Sequence, residues 1–186
     1  AYIGSSTSDV WYTGDSVYDT LGYASAVVDV NHDGYDDLLS SAAAEGHTAV
    51  WLGPLTSFSS HQTYTSTADT IVYYGAGAEH MERVGDMDGD GFDDMALAGY
   101  ESKGFSIYTD IATSGYVRAN NEYDGSGRCT SAAAYCSFEV ADAGDTNGDG
   151  YDDLLAQNGY QSLNREVLLF LGPVTSTATS LTSERI

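Results

Sequence analysis

One nine-residue string occurs three times at a nearly constant interval. Its copies run from Asp29 to Asp37, from Asp86 to Asp94 and from Asp145 to Asp153. Each follows the pattern D-x-[DN]-x-D-G-[aromatic]-D-D and leads into an apolar stretch such as Leu38-Leu39 or Leu154-Leu155. The first positions are 57 and then 59 residues apart. A fixed period of that size means a repeat architecture rather than one continuous core. A second phrase keeps the same beat: Trp51-Leu52-Gly53-Pro54 returns two periods later as Phe170-Leu171-Gly172-Pro173. Oxygen side chains at positions 1, 3 and 5 of a tight loop converge on one point. Glycine at position 6 permits the sharp turn, and the carbonyl of position 7 adds a further oxygen. A hard cation such as calcium requires that arrangement.

The charge balance agrees. The chain has 186 residues, with 28 acidic against 6 basic and a net charge of −22. Thirteen of the acids lie in the three loops. Three dications would bring the formal charge from −22 to about −16, still strongly acidic. Nucleic-acid binding is excluded as a reading, because phosphate contacts need Lys and Arg. Ser and Thr are abundant and Lys103 is the single lysine, which fits an extracellular β-rich surface. No apolar run reaches membrane-spanning length, so no membrane insertion is expected. A chain opening on Ala1 without a cleavable signal segment reads as mature, excised or partial. Cys129 and Cys136 read, in an exterior setting, as a disulfide closing a local loop; the alternative is two reduced thiols near a strand.

Short apolar stretches punctuated by Gly and Pro flank the loops. In the first unit strands are expected at Val10–Tyr12, Tyr23–Val28, Leu38–Ala43 and Thr48–Leu52. In the second they are expected at Ile71–Tyr74, Met81–Val84, Met95–Ala98 and Phe105–Tyr108. The third has Tyr116-Val117, a polar insert carrying the cysteines, then Ser137–Val140, Leu154–Gln157 and Val167–Leu171. The chain thus reads as one repeat domain over 1–186, with approximate units 1–57, 58–114 and 115–186 and one loop in each. Four short strands per sixty residues, with no helix-length amphipathic pattern, describe the blades of an all-β propeller whose stacking supplies the core. Val10–Tyr12 is expected to belong to a neighbouring blade. No apolar strand follows Val167–Leu171, so the last blade is expected to have an open edge that invites another chain. The propeller is therefore read as partial, or as completed between molecules.

An EF-hand needs a bidentate acid at position 12 of its loop, where this chain has Ser40, Leu97 and Ala156. With Asp at position 9 and strands on both sides, the loops resemble the FG-GAP repeat of integrin α-chain β-propellers. The resemblance spans about three blades. The aromatic-Gly pair before the loop is loose here, as Leu21-Gly22 and Tyr74-Gly75, and the Gly-Ala-Pro after it is reduced to Gly99-Tyr100 and Gly159-Tyr160. It implies three structural calcium sites. The first comprises Asp29, Asn31, Asp33, the Tyr35 carbonyl and Asp37. The second comprises Asp86, Asp88, Asp90, the Phe92 carbonyl and Asp94. The third comprises Asp145, Asn147, Asp149, the Tyr151 carbonyl and Asp153. Four carboxylates against three make the second loop the expected tightest binder. Asp36, Asp93 and Asp152 at position 8 read as solvated or turn-bonding, and His32 as solvent-facing.

The chain has no G-x-S-x-G elbow, H-E-x-x-H pair or phosphate-cradling glycine loop, and Gly14-Asp15-Ser16 reads as a turn. No catalytic residue is assigned. The tyrosines and tryptophans read as blade packing before they read as a glycan platform. The expected function is a non-catalytic, calcium-stabilised extracellular module for cell adhesion, surface or matrix interaction, or glycan or protein binding. Its expected partners are other copies of itself or further blades. One alternative is a self-assembling subunit of an extracellular fibre or sheath, joined head to tail by strand exchange. Another is an accessory propeller of a larger secreted enzyme.

Overall fold

The structure, a computed structural model, describes residues 12–16, 18–56, 62–63, 67–73, 78–99, 104–109, 111, 115–117, 121–124, 138–158, 166–174 and 184–185. The strands are β1 (Tyr12–Thr13), β2 (Leu21–Val28), β3 (Asp37–Ala42), β4 (His47–Trp51), β5 (Gln62–Thr63), β6 (Thr70–Tyr73), β7 (His80–Arg83), β8 (Met95–Ala98), β9 (Gly104–Tyr108), β10 (Gly115–Val117), β11 (Asn121–Asp124), β12 (Phe138–Gly144), β13 (Asp153–Asn158), β14 (Glu166–Phe170) and β15 (Glu184–Arg185). A single 3-10 turn, Ala43–Glu45, lies between β3 and β4.

β1 and β5 pair in parallel as a two-stranded sheet, and the other strands make three largely antiparallel sheets of propeller-blade type. The first is ordered β2-β3-β4-β6, with β10 added in parallel beside β6. The second is β7-β8-β9-β11 and the third β12-β13-β14-β15. In each, the Asp-rich loop joins the first two strands, so all three loops occupy the same place in their blade.

Strand alternation explains the stacking, because successive side chains point to opposite faces. In β8, Met95 and Leu97 join a buried cluster with Val28, Leu39, Val50 and Val72 of the first sheet. Their neighbours Ala96 and Ala98 join a different cluster, with Phe138, Leu154, Leu168 and Phe170 of the third. β8 and β9 of the second sheet are buried on both faces, between the other two sheets. Phe105 and Phe170 meet edge to face at 5.0 Å between the second and third sheets.

The expected strands largely form, but several pair differently. The strand expected at Ile71–Tyr74 to open the second unit is β6, Thr70–Tyr73, and it is instead the fourth strand of the first sheet, in register with His47–Val50. Asp69 fixes it there: its N–H donates to the Val50 carbonyl and its carboxylate accepts the Leu52 N–H. Tyr116-Val117 adds to that same sheet beside β6. Of the expected Val10–Tyr12 strand, Tyr12 lies among the described residues. It pairs within the chain, opposite Gln62, and its ring rests on Trp51 at 4.2 Å. The third sheet has a fourth strand where an open edge was expected, since Glu184 and Arg185 pair with Leu169 and Leu168. β5, β11 and β15 escape sequence reading because they are short and largely polar, so no apolar pattern marks them. Cys129 and Cys136 lie outside the described residues.

Candidate metal centre

The three loops share one hydrogen-bond scheme. The position-1 carboxylate sits inside its turn and accepts main-chain N–H groups. Asp86 accepts from Gly89, Asp90 and Gly91 at 2.7, 3.1 and 2.8 Å. Asp145 accepts from Gly148, Asp149 and Gly150 at 2.7, 3.0 and 3.0 Å. Asp29 accepts from Asp33 and Gly34. The Gly150 N–H, with others of the turn, holds Asp145 below the ordinary carboxylate value. The position-6 glycines, Gly34, Gly91 and Gly150, adopt φ of +89°, +94° and +95°, a region other residues enter only with strain. In each loop the position-5 carboxylate accepts the N–H of the aromatic residue that follows: Tyr35, Phe92 or Tyr151.

Position 9 is the anchor. Asp37, Asp94 and Asp153 are fully buried at the start of the strand leaving the loop. One oxygen of each accepts the N–H of position 2, from Val30, Met87 or Thr146. In the first and third loops the other oxygen accepts the N–H of Gly53 or Gly172 at 2.6 and 3.0 Å. The Gly-Pro phrase keeps the loop's register because its glycine satisfies the loop's last carboxylate. A side chain at either glycine would strike the loop backbone, at the Asp36 or Asp152 carbonyl.

The second unit has no Gly-Pro phrase, and there Asp94 Oδ1 is buried with no hydrogen-bond partner. Ligand oxygens of Asp86, Asp88 and Asp94 all lie within 4.8 Å of one another. No other group of three carboxylates gathers so closely among the described residues. Burial above all, and then the charges of Asp88, Asp90 and Asp86, push the Asp94 carboxyl up to about 8, against the Met87 N–H. Asp88 is raised by burial and by Asp90. A buried, unpartnered oxygen among mutually repelling carboxylates is what a bound dication relieves. The residues fit a calcium ion. Asp90 stands slightly apart, its Oδ2 3.5 Å from His32 Nδ1. In the first and third loops the Asn31 and Asn147 amides donate to Asp33 and Asp149.

Two expectations change. His32 is not solvent-facing: at φ 59° it stacks on Phe92 of the next loop, centroids 4.0 Å apart and rings 6° from parallel. Nor is Asp152 a solvated turn residue. It reaches across to the second loop, where its Oδ2 accepts the Asp86 N–H at 2.9 Å. The repeated double Asp was the signal in the sequence for such a role. Asp93, its counterpart, forms an ion pair with Arg83, and Asp36 is exposed.

A comparison with curated proteins finds no match. The family model of the FG-GAP repeat matches residues 21–55. That stretch contains β2, the first Asp-rich loop, β3, β4 and the Gly53-Pro54 turn, and this part of the chain is similar to the FG-GAP repeat, a unit of β-propellers.

Proposed function

We propose that the chain is a calcium-stabilised, non-catalytic propeller module working outside the cell, where its surface makes adhesive, matrix or glycan contacts. The observation that carries this reading is Asp94, buried with a free oxygen beside Asp86 and Asp88. Calcium, when bound, supplies the positive charge the loops lack. The protein's own groups do the positioning: turn N–H groups aim the position-1 carboxylates, and the position-9 aspartates tie the loop to its strand. Net charge supports the extracellular setting, since calcium there is abundant enough to fill weak sites. The test is metal analysis of the dialysed chain in calcium together with its melting temperature before and after chelation. Three bound ions and a marked fall on chelation are expected; no bound ion and no shift overturn the reading.

Self-assembly is a second reading, favoured by one specific feature. The outer face of the third sheet leaves Val167 46% and Leu171 37% exposed. It carries a groove lined by Glu139, Val140, Ala141, Leu155, Gln157 and Val167. The outer face at the other end of the stack, on the first sheet, instead packs Tyr12 against Trp51. Sedimentation in calcium decides it: assembly growing with concentration supports this reading, and a monomer at high concentration eliminates it.

A further inference from the structure

The loops touch one another, and the contacts differ from one junction to the next. Between the second and third loops the join is polar and dense. The Asp152 N–H donates to the Asp86 carbonyl at 2.9 Å, while the Asp152 carboxylate accepts the Asp86 N–H at 2.9 Å. One residue of the third loop therefore grips both main-chain groups of a residue whose side chain is a candidate ligand in the second. Beside it, the Val174 N–H donates to the Met87 carbonyl at 2.8 Å. Gly85, at φ +71°, leaves no room for a side chain, because the Asp152 carboxylate fills that space. Gly89 leaves none because the Tyr151 ring lies over it. Between the first and second loops the join is looser. His32 stacks on Phe92 with its Nδ1 3.5 Å from Asp90 Oδ2, and the Ile111 N–H donates to the Val30 carbonyl at 3.2 Å, but none of the described residues grips both main-chain groups of Asp29. There Asp93 turns to Arg83 instead of gripping Asp29.

From this asymmetry we infer that Asp152 is a positioning residue for the second cation site, so that the second and third loops fill with positive cooperativity. The inference rests on the calcium reading. The physical link is short. Asp152 stands between Tyr151 and Asp153, both in the third loop's candidate ligand set, so a cation there orders the backbone that carries it. An ordered Asp152 holds Asp86 where its carboxylate meets Asp88 and Asp94. Coupling is reciprocal by thermodynamic necessity, so a cation in the second loop favours the third equally.

The experiment titrates the full chain with calcium alone in an Asp33→Ala background, which leaves the second and third loops as binding sites. A cooperative isotherm is expected. Adding Asp152→Ala should make it non-cooperative and weaken the second site about 5- to 20-fold, within the usual range for coupled sites. Asp152→Asn, which keeps an oxygen acceptor and the side-chain shape, should retain folding and most of the coupling, and Asp93→Ala should leave it unchanged. Amide hydrogen exchange gives an independent readout: the Asp86 N–H should be protected in the parent and exposed in Asp152→Ala. Two calcium ions binding independently, with no response to Asp152→Ala, overturn the inference and leave the calcium reading standing. No calcium binding in the parent overturns both.

Discussion

Asp94 concentrates the chemistry of the second loop. Its carboxyl is buried, bonded on one side to the Met87 N–H and free on the other. With a folded pKa of about 8 against an ordinary 3.8, the metal-free fold holds a proton there that the unfolded chain has lost. The stability this group contributes is thus fully present below about pH 4 and is lost as pH rises through about 8. Asp37 and Asp88 are also raised by burial and act in the same direction. We expect the chelated chain to melt at progressively lower temperature from pH 5 to pH 8, and Asp94→Asn to flatten that slope; an unchanged slope in Asp94→Asn would refute the assignment. The two neighbouring acids of this loop should also separate. Under the calcium proposal Asp90→Ala removes a proposed ligand and, with calcium at a hundred times its dissociation constant, up to about 2.7 kcal/mol of linked stability. Asp93→Ala loses a surface ion pair with Arg83, worth about 1 kcal/mol or less. Equal losses in calcium would place the ligands in a different register.

The strand-loop-strand element works as a unit because the Gly-Pro turn that follows it closes the loop. At Gly172 an added Cβ would press on Tyr151 and on the Asp152 and Met87 carbonyls. It would also disturb the N–H that satisfies Asp153. Gly172→Ala should therefore cost about 1–3 kcal/mol, as overpacking against backbone does, read as a lower urea midpoint with unchanged slope. A cost near zero would mean the turn is free to move. The same element shows how far sequence reading reaches. Asp-x-Asn/Asp-x-Asp-Gly marks the turn, and the apolar run Met95–Ala98 marks a strand, because both patterns are local. The fourth strands β11 and β15 carry no such mark. They are short and largely polar and pair with β9 and β14 in the sheets, so nothing in the sequence Asn121–Asp124 or Glu184–Arg185 distinguishes them from a loop.

In the whole molecule, stacking of the sheets carries the stability. Phe105 lies between the second and third sheets beside Phe138 and Phe170. Phe105→Ala removes the ring that both touch and should cost about 3–5 kcal/mol. Thermal unfolding monitored from both sheets should show them weakened together; loss confined to one sheet would argue that the blades fold separately. Calcium should shift the melting temperatures of the parent chain and of Phe105→Ala by different amounts, because Met87 belongs both to the second loop and to this cluster and couples the two.

Taken alone, the sequence determined the repeat, its period, the three loop positions and the β character of the chain. All of these depend on residue type and spacing within a few turns of backbone. Only the tertiary structure decided which sheet takes Thr70–Tyr73, that Gly53 and Gly172 answer Asp37 and Asp153, and that Asp152 serves the second loop rather than its own. Those are pairings between groups 16 to 66 residues apart, and their partners are chosen by which main-chain groups the stacked sheets bring within hydrogen-bonding reach.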